Sequence, residues 1–137
     1  MTGQWLDVPE PSLLMAKASP FFAQAAHGQE LVTFFSQQGA HIAHVDISRV
    51  QNGADVTSEL RSVLPFPDWC GSGWDSMEDS FEELREAWQF PLVLVVSGIP
   101  ILLQSQPQVA FQTAVRLSEF SRAFGLAGED FLVLYLW

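Results

Sequence analysis

Two runs, Leu92 to Val96 and Phe131 to Trp137, are apolar from end to end and of strand length. A strand with one wet face alternates apolar and polar residues, whereas a strand covered on both faces does not. The segments before and between these runs have helical spacing. Asn52-Gly53 marks a turn, after which Val56, Leu60, Val63 and Leu64 repeat at i, i+4, i+7 and i+8 until Pro65 stops the helix. Pro107 suits the first turn of another helix, with Phe111, Ala114, Val115 and Ser118 along one side and Gly125 near its end. His41 to Ile47 is β-compatible and about half apolar. Strands separated by helices pair in parallel through right-handed crossovers. The expectation is an α/β fold: a small parallel sheet of three strands flanked by helices, with Phe21-Phe22 available as an added edge strand. Strand order stays open.

Residues 1–39 form an amino-terminal extension expected to pack on a body spanning 40–137. Pro9, Pro11 and Pro20 punctuate its leader, from which Trp5 or Leu13-Leu14 can pack on the body. A helix is expected over 28–38, on the spacing of Leu31, Phe34, Phe35 and Gln38, with Gly39 as its stop.

At 137 residues and 48% hydrophobic, the chain has enough length and apolar content for one packed domain. Six basic against sixteen acidic residues give a net charge of −10. Direct nucleic-acid binding draws its affinity mainly from Lys and Arg on phosphates, so it is disfavoured, and a cationic protein is the natural partner. The apolar stretch Leu92 to Leu103 is broken by Ser97, Gly98 and Pro100 and is too short to span a bilayer. A single cysteine precludes an intrachain disulfide, and MTGQWLDVPEP has neither the basic nor the apolar region of a secretion signal. The chain reads as cytoplasmic and, when free, monomeric.

The chemistry concentrates between Pro67 and Trp88, which reads as a tight turn feeding one helix. At about 100° per residue, Trp74, Met77, Phe81, Leu84 and Trp88 fall in one arc, with Asp75, Glu78, Asp79, Glu82, Glu83 and Glu86 roughly opposite. Acid pairs three or four apart each cost roughly 0.2–0.5 kcal/mol, and only Arg85 compensates within the segment. Ser72 as N-cap with Asp75 three residues on would make a capping box. On periodicity alone the acids are equally a solvated face.

The run Phe66-Pro67-Asp68-Trp69-Cys70-Gly71-Ser72-Gly73-Trp74-Asp75-Ser76-Met77-Glu78-Asp79 resembles the signature of the barstar family of ribonuclease inhibitors. Pro67, Gly71, Trp74, Asp75 and Asp79 match, Met77 stands for Leu, and Phe90-Pro91-Leu92-Val93-Leu94 resembles the strand that follows. The resemblance covers roughly residues 40–137 and implies a barstar-like domain there. It departs at Cys70, where an aromatic is usual, at Gly73, where Asn is usual, and at Glu78, where barstar has Trp. The acid that barstar supplies from its last helix would fall near Ala123, with Glu119 the nearest carboxylate.

What the resemblance implies is an inhibitor or immunity protein that occludes the active site of a basic, barnase-like ribonuclease or related nuclease toxin. Its partner-binding residues would be Trp69, Gly71, Asp75, Glu78, Asp79 and Glu82: Asp79 as central phosphate mimic, Asp75 paired with a flanking base, and Trp69 packed over the enzyme's active-site histidine or a nearby loop. Glu78, Glu82 and Glu83 would steer, and Gly71 would let backbone approach closely. Two alternatives stay open, an adaptor for another basic toxin using the same helix, and a small α/β enzyme using the acid cluster or Cys70 with His41 or His44 as a distant base. Cys70 is read as a neutral, half-buried turn residue, and the two histidines as solvated. Gly71-Ser72-Gly73 superficially resembles a phosphate-binding loop, but the acids behind it would repel a phosphate. No cofactor or metal is expected.

Overall fold

A computed structural model describes residues 4–6 and 20–137. Five strands run β1 (Gln4–Leu6), β2 (Phe21–Ala23), β3 (His41–Asp46), β4 (Leu92–Ser97) and β5 (Phe131–Leu136). Among the described residues six α-helices join them: α1 (Gly28–Gln37), α2 (Gly53–Val63), α3 (Trp74–Asp79), α4 (Phe81–Ala87), α5 (Ile99–Ser105) and α6 (Pro107–Leu126). Every pairing is parallel, in the order β1-β2-β5-β4-β3. The three expected strands form the middle and one edge of this sheet. Phe21–Ala23 lies beside β5, with Phe22 opposite Tyr135, and β1 adds a fifth strand outside it. A strand at Gln4–Leu6 was not expected, because three residues are too few to display a period of two. The packing of Trp5 and of Leu13-Leu14 lies outside the described residues.

Leu92 to Val96 and Phe131 to Tyr135 are buried at every position, which requires cover on both faces. On one face Leu92, Leu94, Val96, Phe131, Val133 and Tyr135 meet side chains from α2 through α6, among them Leu60, Met77, Leu84, Leu102, Leu117 and Phe124. On the other, Val93, Val95, Leu132 and Leu134 meet Leu31 and Phe35 of α1, together with Phe21 and Ala23. Burial pushes the Tyr135 phenol above its ordinary pKa, since its charged form has no solvation there.

Local chemistry explains where the elements begin. The Asn52 side chain accepts from the Asp55 backbone N–H at 2.9 Å, capping α2. α5 was not anticipated, because Gly98 and Pro100 read as interruptions. Gly98 instead turns the chain into that helix at φ +92°, where a Cβ would stand 2.6 Å from the Ser48 backbone nitrogen. Pro100 lies in the first helical turn, where its missing N–H costs nothing.

The side of α6 that carries Phe111, Ala114, Val115 and Ser118 is not the one that faces the core most deeply. Ala110, Thr113, Leu117, Phe120 and Phe124 are buried, whereas Phe111 and Val115 are 65% and 56% exposed. The buried set recurs at helical spacing through nearly all twenty residues, while the expected one runs out at Ser118 and Arg122. Thr113 fits the core because its hydroxyl donates to the Val109 carbonyl at 2.8 Å.

The acidic segment is not one helix. Ser80 is fully buried, at φ −95° and ψ 11°, and separates α3 from α4. Its hydroxyl donates to the Ser76 carbonyl at 2.8 Å, a back-bond that competes with the helical ladder and bends the chain. Trp74, Met77, Leu84 and Trp88 are nonetheless buried and Phe81 half-buried, as their spacing predicts. Acid pairs counted across residues 78–83 therefore do not have continuous-helix geometry. Glu82 and Glu83 occupy the first turn of α4, the favourable end of its dipole, instead of the middle of a longer helix.

Candidate functional site

The turn before α3 is built from backbone groups held by side chains of α2. The Cys70 N–H donates to the Pro67 carbonyl at 3.0 Å, closing the turn and leaving Trp69 at its tip, 63% exposed. Arg61 spans the inner side, donating to the carbonyls of Pro67, Cys70 and Gly71, with its guanidinium 5.5 Å from the Phe66 ring centroid. Thr57, buried on α2, accepts the Gly73 N–H at 2.9 Å. Three loop carbonyls and one loop amide are thus satisfied by two residues one helical turn apart.

The helix start differs from the expected capping box. Gly73, at φ +104°, is the N-cap of α3, and no side chain caps it. The departure from Asn at this position is thereby explained, since a left-handed backbone favours a residue without Cβ. Cys70 is more deeply buried than expected, and its thiol faces the Ser76 and Gly71 carbonyls at 3.5 and 3.6 Å. His41 and His44 are exposed on β3 and are not among its partners.

The acids divide by what holds them. Arg116, on α6, donates from Nη2 to Asp75 Oδ1 at 3.3 Å and places Nη1 at 3.7 Å from Glu78 and 3.6 Å from Glu119. Arg85 lies 3.6 Å from Glu82 and 3.8 Å from Glu129, and donates to the Ala127 carbonyl at 2.9 Å, fastening α4 to the turn before β5. Asp79 is exposed and, among the described residues, has no ion pair. Glu83 and Glu86 are likewise exposed and unpaired. Arg85 is therefore not the sole compensating cation, and sequence reasoning missed Arg116 because two of its partners, Asp75 and Glu78, lie about forty residues away on α3.

Between α3, α4 and α6 lies a cleft of about 210 Å³ lined by Glu78, Phe81, Arg116, Glu119, Phe120 and Ala123. Its walls are apolar and its rim charged. Glu119 is thus brought beside Glu78, and Ala123 lines the same depression. No group of three or more His, Cys, Asp or Glu side chains among the described residues is arranged to hold a metal ion, and no described helix is long and apolar enough to cross a membrane.

Fold and site together define a small parallel α/β protein whose distinctive surface is an exposed acidic helix pair behind a braced aromatic turn. The chain belongs to the barstar family: the family model described as Barstar (barnase inhibitor) matches residues 40–135. That match takes in α2 to α6, the strands β3 and β4 and nearly all of β5. Members of the family are inhibitors and not enzymes. No individual curated protein matches the sequence.

Proposed function

We propose that this chain is an intracellular inhibitor that binds a basic, barnase-like ribonuclease and covers its active site with α3, α4 and the turn carrying Trp69. A ribonuclease site must be cationic to hold a phosphodiester, so an exposed carboxylate on a braced helix is a physical substitute for phosphate. Asp79 carries this reading: it is solvent-facing and, among the described residues, without an ion pair, in a segment whose other parts are fastened by Arg61, Arg85 and Arg116. In the complex Asp79 would accept from the enzyme's phosphate-binding Arg, Lys or His, and Asp75 from a flanking base. Trp69 would cover the neighbouring histidine or loop, and Gly71 would admit close backbone contact. Glu78 and Glu82 act mainly through long-range attraction that raises the association rate at low salt. The barnase–barstar pair is itself the standard example of such steering.

A second reading, an adaptor for a basic toxin of another fold, is favoured by one observation. Ala123, where barstar's last-helix acid would fall, lines the cleft without a charge. The buried, carbonyl-bound Cys70 gives no support to a thiol enzyme.

The test is retention from the source organism's extract at low salt, comparing the parent with an Asp75→Ala/Asp79→Ala variant, followed by RNA-cleavage assays on what is retained. A small basic ribonuclease held and silenced by the parent, and released active by the variant, is the expected result. Equal retention by both chains would remove the acidic helix from the mechanism.

A further inference from the structure

The two aspartates assigned to the interface are not equivalent in the free protein. Among the described residues Asp79 has no ion-pair partner, while Asp75 is already engaged by Arg116. The contact is also local in its weakness. The Asp75 side chain is 89% exposed, so its pair with Arg116 is one that water and salt screen strongly. Arg116 is the more enclosed partner, 29% exposed, and it divides one guanidinium among three carboxylates from two helices.

We propose that Arg116 is an internal competitor for the partner's cation and thereby a specificity-determining residue of the acidic surface; this rests on the reading that the surface binds a basic protein. A guanidinium grips a carboxylate best through both oxygens at once, and Asp75 Oδ1 is occupied by Arg116 Nη2. An incoming Arg or Lys must therefore settle for the remaining oxygen or displace Arg116. If displaced, Arg116 is not stranded, because Glu78 and Glu119 remain within 3.7 and 3.6 Å of its Nη1. Exchange is cheap, and recognition is ordered: Asp79 accepts a cation at first encounter, and Asp75 does so only against Arg116. Partners that place a cation on Asp79 are favoured over diffuse polycations, which lose part of the local field to the internal arginine.

The experiment is a double-mutant cycle with Asp75→Asn and Arg116→Gln, read by Trp fluorescence with two probes: barnase inactivated at its catalytic site, and a hexa-arginine peptide. In the parent background, Asp75→Asn weakens hexa-arginine binding about 2-fold, because Arg116 already masks that carboxylate; in the Arg116→Gln background it weakens binding about 5-fold or more. Arg116→Gln alone tightens binding at low salt, and this gain disappears as salt rises. Arg116→Lys keeps the charge and stays with the parent. Equal costs of Asp75→Asn in both backgrounds, no measurable hexa-arginine binding, or a Lys variant that follows Gln would each overturn the competitor role. Failure of barnase to bind any of the chains, with the hexa-arginine coupling intact, overturns the ribonuclease reading and leaves Arg116's role standing. Barnase bound without coupling in either arm does the reverse.

Discussion

The two faces of the sheet are held by different physics. One is closed by α1 through Leu31 and Phe35, residues whose only contribution is apolar surface removed from water. The other carries α2 to α6, and there an apolar core positions helices whose outer parts are then tied down by a few polar side chains: Thr57 to Gly73, Arg61 to the Trp69 turn, Arg85 to Ala127, Arg116 to Asp75. Both faces supply apolar burial that the fold needs, and the first does nothing else. The second sets where its carboxylates stand. Scaffold and site should therefore respond to mutation separately, and the difference is open to direct attack.

The largest effect is expected on the α1 face. Phe35 is 2% exposed, and truncating a buried Phe costs about 3–5 kcal/mol through lost transfer energy and the cavity left behind. Phe35→Ala should lower the urea midpoint accordingly, with an unchanged slope, while molecules that remain folded bind a cationic partner as the parent does. If affinity per folded molecule fell as well, the two faces would be coupled through the sheet and the separation would fail. The same contacts bear on the amino-terminal residues. The family match begins at residue 40, yet Val93, Val95, Leu132 and Leu134 lose their helix cover if α1 is removed.

An intermediate effect belongs to Arg61. Arg61→Ala leaves the Pro67, Cys70 and Gly71 carbonyls without their shared donor, and water can replace it only partly because Cys70 is buried. The expected loss is about 1–3 kcal/mol, with faster reorientation of Trp69 in fluorescence anisotropy and weaker partner binding. A variant equally stable, with Trp69 as restrained as before, would show that the turn is held by its own backbone and not by α2.

These same contrasts explain what could be read in the sequence. The continuous apolar runs announced β4 and β5 because doubly covered strands have no other composition, and Asn52-Gly53 announced α2 because a cap is a local event. The core face of the acidic segment was legible from Trp74, Met77, Leu84 and Trp88 even though Ser80 breaks the helix. The break itself was hidden, since serine is unremarkable until its hydroxyl is known to be buried against Ser76. The α6 stripe was misjudged because Phe111 and Val115 mimic core spacing over two turns, and only the whole helix reveals the other register. The arginine braces were invisible for a plainer reason: hydrogen bonds between residues 6 to 42 positions apart leave no periodic trace.

The smallest effect on stability, and the one that most sharpens the contrast, is expected at Asp79. It is the last residue of α3 and directly precedes Ser80, the N-cap of α4, so the two helix dipoles oppose each other at its charge, and among the described residues no cation pairs with it. An exposed acid there contributes little to the fold, and Asp79→Asn should leave stability within about 0.5 kcal/mol of the parent. For binding the same change is costly. A partner cation that has shed its water to meet Asp79 is left unpaired in the variant, and dissociation should accelerate more than for any other single acid change. Urea titration and stopped-flow dissociation on the same preparation measure both quantities. A clear loss of stability with no change in dissociation would make Asp79 part of the scaffold; an unchanged or raised midpoint with a faster off-rate would mean that this carboxylate contributes nothing to the fold and is retained for what it meets outside it.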